Sequence, residues 1–181
     1  DTLWRFKHDL RIFFSRHNQF ALSPNTLQDF AQIVQMCEDA GLELTVFISP
    51  SHAVQWEAVA QTGSWKLFEQ WKRELVAITP IWDFSGYSTV TTETVRSGMT
   101  YYRDNSHYRP IVGDWVLKRM FGTALTQAEI PEDFGVLLTP DTVDTHLANI
   151  RQDRQAWRRR NESILTWVQD IKEGALGTQS T

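Results

Sequence analysis

This sequence predicts an α/β fold, helices layered on a mostly parallel sheet, on two observations. Helix-like and strand-like patterns alternate from residue 24 to residue 84, in the order helix, strand, helix, strand. Both strand-like runs are short and apolar along their length, as in a strand covered on both faces. In such folds ligand sites gather at the carboxyl ends of the strands, so the segments that follow each strand are where chemistry is expected.

No element is assigned to the N-terminal segment 1–23. Ser23 followed by Pro24 reads as an N-cap with proline at the first helical position, and Leu27, Phe30, Ala31, Val34 and Cys37 recur at helical spacing, predicting a helix over 24–40 that stops at Gly41. LELTVFIS, residues 42–49, is the first buried strand, closed by Pro50. Leu67, Phe68, Trp71, Leu75 and Ile78 mark a helix over about 64–78, and IWDF at 81–84 reads as the second strand. Residues 85–107 are polar and rich in Ser, Thr and Gly; an irregular stretch of that length inside a domain is usually functional or disordered. Pro110, Val112, Trp115, Val116 and Met120 predict a third helix ending near Gly122. The α/β portion thus runs from 24 to 122, a linker follows over 123–138, and Thr139 and Pro140 open a long C-terminal helix to about 173. Its apolar stripe is interrupted at Arg154 and Asn161. The tail 174–181 is expected to fray.

The chain has 181 residues, 41% hydrophobic and 22% charged, which suits one globular domain with a sizeable core. Its formal charge of -4 gives no global attraction to phosphate backbones, so a nucleic-acid partner is not expected. No apolar run is long enough for a transmembrane span. A single cysteine, Cys37, excludes an internal disulfide framework, and no Cys/His cluster has metal-ligand spacing, so neither a metal nor a cofactor is expected.

The most specific chemistry lies in YYRDNSHYRP, residues 101–110. Asp104 stands three residues before His107, ahead of the proline-started helix. A carboxylate at that distance can accept the imidazole N–H and leave the other ring nitrogen as a general base; equally, it can act as a loop-to-helix cap. Ser51 and His52, just past the first strand, and Tyr102, beside the pair, are candidates for substrate contact. Against this, Ser51 can cap a following helix and His52 can be a solvated loop residue. Cys37 lies on an apolar stripe and reads as core. Asp83 could serve a site or hold the SGY turn. Trp71, Trp115 and Trp157 fall on apolar stripes and read as core, and the basic run from Arg151 reads as a solvated helix face. A serine on a glycine-flanked turn after a strand has no convincing counterpart.

DNSHY followed by RPIVGDWVLKRMFG resembles the last block of the SGNH (GDSL-like) hydrolases and of their relatives, the alginate-type O-acetyltransferases and the D-alanine-transfer proteins of teichoic acids. FISPSHAVQW and WDFSGY also look like segments of bacterial proteins with this domain. The resemblance spans about residues 42–122. It implies a flavodoxin-like three-layer sandwich with a parallel sheet, here whole or in part. Asp104 would be the orienting acid and His107 the base, the substrate an acyl-bearing surface glycan and the location periplasmic or extracytoplasmic. The family's serine, glycine and asparagine blocks have no match in this chain. Two expectations compete: a C-terminal portion whose serine-bearing part lies elsewhere in the same protein, favoured by the Asp1 start, or a degenerate relative serving as a non-catalytic interaction module. The long C-terminal helix, whose apolar stripe must bury against something, supports the second.

Overall fold

A computed structural model describes residues 1–16, 21–122 and 129–177. The order of elements is α1 (Thr2–Arg16), α2 (Pro24–Asp39), β1 (Val46–Ile48), α3 (Ala53–Gln61), α4 (Trp65–Ile78), β2 (Ile81–Asp83), α5 (Pro110–Phe121), β3 (Val136–Leu138), α6 (Val143–Arg160) and α7 (Glu162–Gly177). The class is α/β, as expected from the alternation of patterns. The sheet, however, is small and mixed: β1 and β2 run parallel, Val46 beside Ile81 and Ile48 beside Asp83, while β3 pairs antiparallel on the far side of β2.

Local chemistry accounts for some boundaries. Ser23 Oγ accepts the Thr26 amide at 3.3 Å and Pro24 fixes the first turn of α2. Gly122 ends α5 at φ 67°, a left-handed conformation that costs a residue with a Cβ about 1–2 kcal/mol.

The sheet is less covered than an all-apolar strand pattern predicts. Phe47, Trp82 and Leu137 are in register on one face, and Phe47 and Leu137 remain 40% and 44% exposed. The opposite face buries Ile48, Ile81 and Leu138 against Leu75 and Val76 of α4 and Val143 and Leu147 of α6. A second, larger core joins α1, α3, α5, α6 and α7 through Phe6, Leu10, Phe14, Val54, Val112, Trp115, Trp157 and Val168.

Several expectations change. The segment 1–23 contains α1, whose Phe6, Leu10 and Phe14 form one fully buried stripe that seats it on α7. At about 1.5–3 kcal/mol per buried side chain, that stripe makes α1 an integral element. The region taken as a linker, 123–138, contains β3; its residues 123–128 lie outside the described residues. The single C-terminal helix is two, α6 and α7, separated at Asn161, whose side chain donates to the Trp157 carbonyl at 2.8 Å. Helix α7 continues to Gly177, past the predicted fraying point at 174, and residues 178–181 are outside the described part.

Cys37 is only partly buried on α2, not in the core. The basic run is also more than a solvated face. Arg154 and Arg158 converge on the fully buried Glu57 of α3, and Arg151 reaches Glu69 of α4 at 3.0 Å. No helix among the described residues is long and apolar enough to cross a membrane.

Candidate functional site

The segment from Ser85 to His107 has little regular structure but is closely tied. Thr91 Oγ1 donates to the Gly86 carbonyl at 2.8 Å, and the Glu93 carboxylate accepts the amides of Thr100 and Tyr101 at 2.5 and 2.8 Å. Its last part is a narrow antiparallel bridge between Tyr102 and Tyr108, with Arg103 N–H to the His107 carbonyl at 2.9 Å and Arg109 N–H to the Tyr101 carbonyl at 2.7 Å. Asp104 to His107 form the turn that this bridge closes.

Within that turn the Asp104 carboxylate accepts the amides of Ser106 at 2.8 Å and His107 at 2.7 Å through Oδ1. His107 Nδ1 lies 3.0 Å from Oδ1 and 2.9 Å from Oδ2. A carboxylate opposite Nδ1 favours the tautomer protonated there, so Nδ1 donates and Nε2 keeps its lone pair. Asp104 is 7% exposed and the His107 ring 75% exposed, which leaves Nε2 on the open side of a fixed carboxylate. Burial opposes the Asp104 charge, but the two amides and the imidazole outweigh it and hold its carboxyl below the ordinary aspartate range. Ser106 Oγ is 3.2 Å from Nδ1, on the ring nitrogen that Asp104 already engages, so it is not placed as the group that Nε2 would deprotonate.

The turn is anchored beside the carboxyl end of β1. His52 N–H donates to the Asn105 carbonyl at 3.0 Å, Asn105 Nδ2 donates to Gln55 Oε1, and Tyr102 Oη donates to the Pro50 carbonyl at 2.7 Å. The segment 49–53 and the Asp-His turn are therefore neighbours, which the strand-end rule anticipates.

Their side chains have different roles from those first expected. His52 is 1% exposed: Nδ1 accepts the Val54 amide at 3.1 Å as the N-cap of α3, and Nε2 donates to the Glu93 carbonyl at 2.7 Å. Burial brings its pKa down to about 4, against the Glu93 carbonyl, which favours the charged form. It is a neutral structural imidazole, neither a solvated loop residue nor a substrate contact. Tyr102 is fully buried against it, ring centroids 5.1 Å apart, with its hydroxyl engaged; burial also pushes its pKa up. Substrate has no access to it. Ser51 is half-buried, with its carbonyl accepting Trp56 Nε1 at 3.0 Å; the cap of α3 is His52, not Ser51.

Asp9 of α1 also borders the turn. Asp9, Asp104 and His107 offer ligand-capable atoms within 4.8 Å of one another, and among the described residues they are the one His/Cys/Asp/Glu group so arranged. Asp104 is already engaged by two amides and an imidazole, so a metal would have to compete with them. Partial burial, then the neighbouring Asp104 charge, raise the Asp9 pKa, with His8, His107 and Arg5 opposing.

A second polar cluster escaped sequence reasoning. Lys72 of α4, fully buried, donates to Asp83 Oδ2 at 2.5 Å and to Ser85 Oγ at 2.7 Å, while Ser85 N–H and Oγ donate to Asp83 Oδ1 at 2.9 and 2.7 Å. His146 Nε2 is 2.9 Å from Oδ2. Burial opposes the Asp83 charge, but Lys72 and His146 overcome it and hold its carboxyl far below the ordinary range. Asp83 thus holds the SGY turn and locks α4 and α6 to the end of β2, and its own oxygens are saturated. Ser85 Oγ accepts from Lys72 and donates to Asp83, whose carboxyl, held far below its ordinary range, is a weak base for the hydroxyl proton. Lys72 lies on the buried face of α4, four residues from Phe68 and three from Leu75, but a lysine at such a position breaks the apolar pattern and gives no sign of its partner.

No family model, curated protein or solved structure matches this chain.

Proposed function

We propose that this chain is the Asp-His-bearing portion of an SGNH-like ester hydrolase or O-acyltransferase, acting on acyl groups of a surface glycan. The observation that carries the reading is the orientation of His107: Nδ1 fixed on a buried carboxylate that two backbone amides hold ionised, with Nε2 turned outward. In such a mechanism a serine from a further part of the protein attacks the acyl carbon, its proton passes to His107 Nε2, and Asp104 stabilises the imidazolium. The sheet has room for that part. Beyond β1 no strand is paired among the described residues, and a strand added parallel to it would end on the side where the 104–107 turn is anchored. The sheet face bearing the exposed Phe47 and Leu137 would then receive another layer, completing a flavodoxin-like sandwich.

The experiment is hydrolysis of a chromogenic acetyl ester by this chain alone, by the chain extended with its upstream coding sequence, and by the extended protein carrying His107→Ala. The reading expects turnover by the extended protein only. Loss of a nucleophile and oxyanion donors leaves little rate, since one donor alone contributes about 10²- to 10³-fold. Robust turnover by this chain would place the nucleophile within it. An extended protein inactive on every acyl donor would favour the alternative, a non-catalytic interaction module, for which the exposed Phe47 and Leu137 are the supporting observation.

A further inference from the structure

We infer that the outward face of α1 is a docking surface for an anionic lipid bilayer. The helix carries Arg5, Lys7, Arg11 and Arg16 against Asp9, a formal +3 within a chain of formal charge -4. Helix α6 is also basic, with five arginines against Asp144 and Asp153, but there Arg151, Arg154 and Arg158 are paired with Glu69 and Glu57. Phe6, Leu10 and Phe14 seat α1 on the core, so its outward groups are held in place. Among the described residues, Arg5, Lys7 and Arg11 form no ion pair and are exposed.

Beside these cations stand apolar side chains that the fold leaves uncovered. Trp4 is 62% exposed, its ring stacked on His8 with centroids 4.8 Å apart, and Ile12 is 36% exposed. Helical spacing places Trp4, His8, Arg11 and Ile12 on one face. An indole among long basic side chains is the composition that favours a headgroup boundary, where the ring enters the interface and the cations meet lipid phosphates. A nucleic acid would use the cations but gains nothing from an exposed Ile, which is why the bilayer is the occupant inferred. Asp9 on the flank of the same helix borders His107, so docking would bring the 104–107 turn close to the lipid surface.

The test is cosedimentation of this chain with vesicles of equal parts phosphatidylglycerol and phosphatidylcholine, and with phosphatidylcholine alone. Each basic residue near an anionic surface strengthens binding about fivefold, so Arg5→Glu with Arg11→Glu should weaken the partition about 25-fold or more. Binding should also fall about tenfold or more between 20 and 500 mM salt, and Trp4→Ser should weaken it at either salt concentration. These side chains are exposed, and unchanged far-ultraviolet circular dichroism confirms that the variants fold. Absence of binding to anionic vesicles, equal binding to neutral ones, or retention by the charge-reversed variant overturns the inference. Binding to heparin fragments or duplex DNA without binding to vesicles overturns it as well, assigning the face to a soluble polyanion.

Discussion

Between pH 7 and 4.5, above the range in which the carboxylates titrate, acidification should destabilise this protein mainly through His52. In the folded chain its imidazole is 1% exposed and engaged at both nitrogens, with a pKa of about 4 against an ordinary 6.5. The folded form therefore binds its proton less readily than the unfolded chain. A group with a lowered folded pKa contributes stability that is present above the unfolded value and is lost as pH falls toward the folded one. The gap between 6.5 and 4 corresponds to about 3 kcal/mol, with unfolding free energy falling about 1.4 kcal/mol for each pH unit through that window. Urea unfolding followed by tryptophan fluorescence at pH 7, 6, 5 and 4.5 measures it. The control is His52→Asn: asparagine can still cap α3 but does not titrate, so the variant starts about 1–3 kcal/mol lower through loss of the Glu93 bond and shows a flatter profile over the same window. Equal slopes for the two proteins would refute the assignment of His52 as a buried neutral cap.

Two further comparisons of variants test the packing around β2. Asp83→Ala leaves Lys72 buried without its carboxylate and should cost about 3–5 kcal/mol, whereas adding Lys72→Met to it should recover part of that loss, because no uncompensated charge then remains; denaturant midpoints of the single and double variants decide. Gly135→Ala would place a Cβ 2.3 Å from Phe84 Cε1 at a φ of 88°, and should cost about 2–4 kcal/mol in thermal or urea unfolding, while Gly98→Ala, with open space at a φ of 71°, should cost only the backbone strain of about 1–2 kcal/mol.

What the sequence revealed follows from which signals are local. The caps and periodicities of α2, α4 and α5, and the two apolar strand runs, lie within short windows and are legible. Helix α3 is not: five of its nine residues are buried, including Glu57, so it has no polar face, and its cap is a histidine rather than Ser, Thr, Asp or Asn. Strand β3 has three residues, two of them exposed, and exists only by pairing with β2. The buried charges are equally hidden, because Lys72 with Asp83, and Glu57 with Arg154 and Arg158, are partners far apart in sequence. The Asp104–His107 pair was legible since both members sit in one short turn. His52 and Tyr102 were misassigned because position after a strand says where a residue is, not which way its side chain faces. Here both turn inward, to the α3 amide and to the Pro50 carbonyl.

The central claim is that Asp104 fixes His107 with Nδ1 protonated and Nε2 free to act as a base. Long-range proton–nitrogen NMR correlation of the imidazoles at pH 8 reads the tautomer directly. His107 in the wild-type chain should show a protonated Nδ1 and a bare Nε2, and Asp104→Ala should relax it toward the mixture of an unconstrained ring. A wild-type His107 protonated mainly at Nε2, or one unchanged by loss of Asp104, would contradict the account.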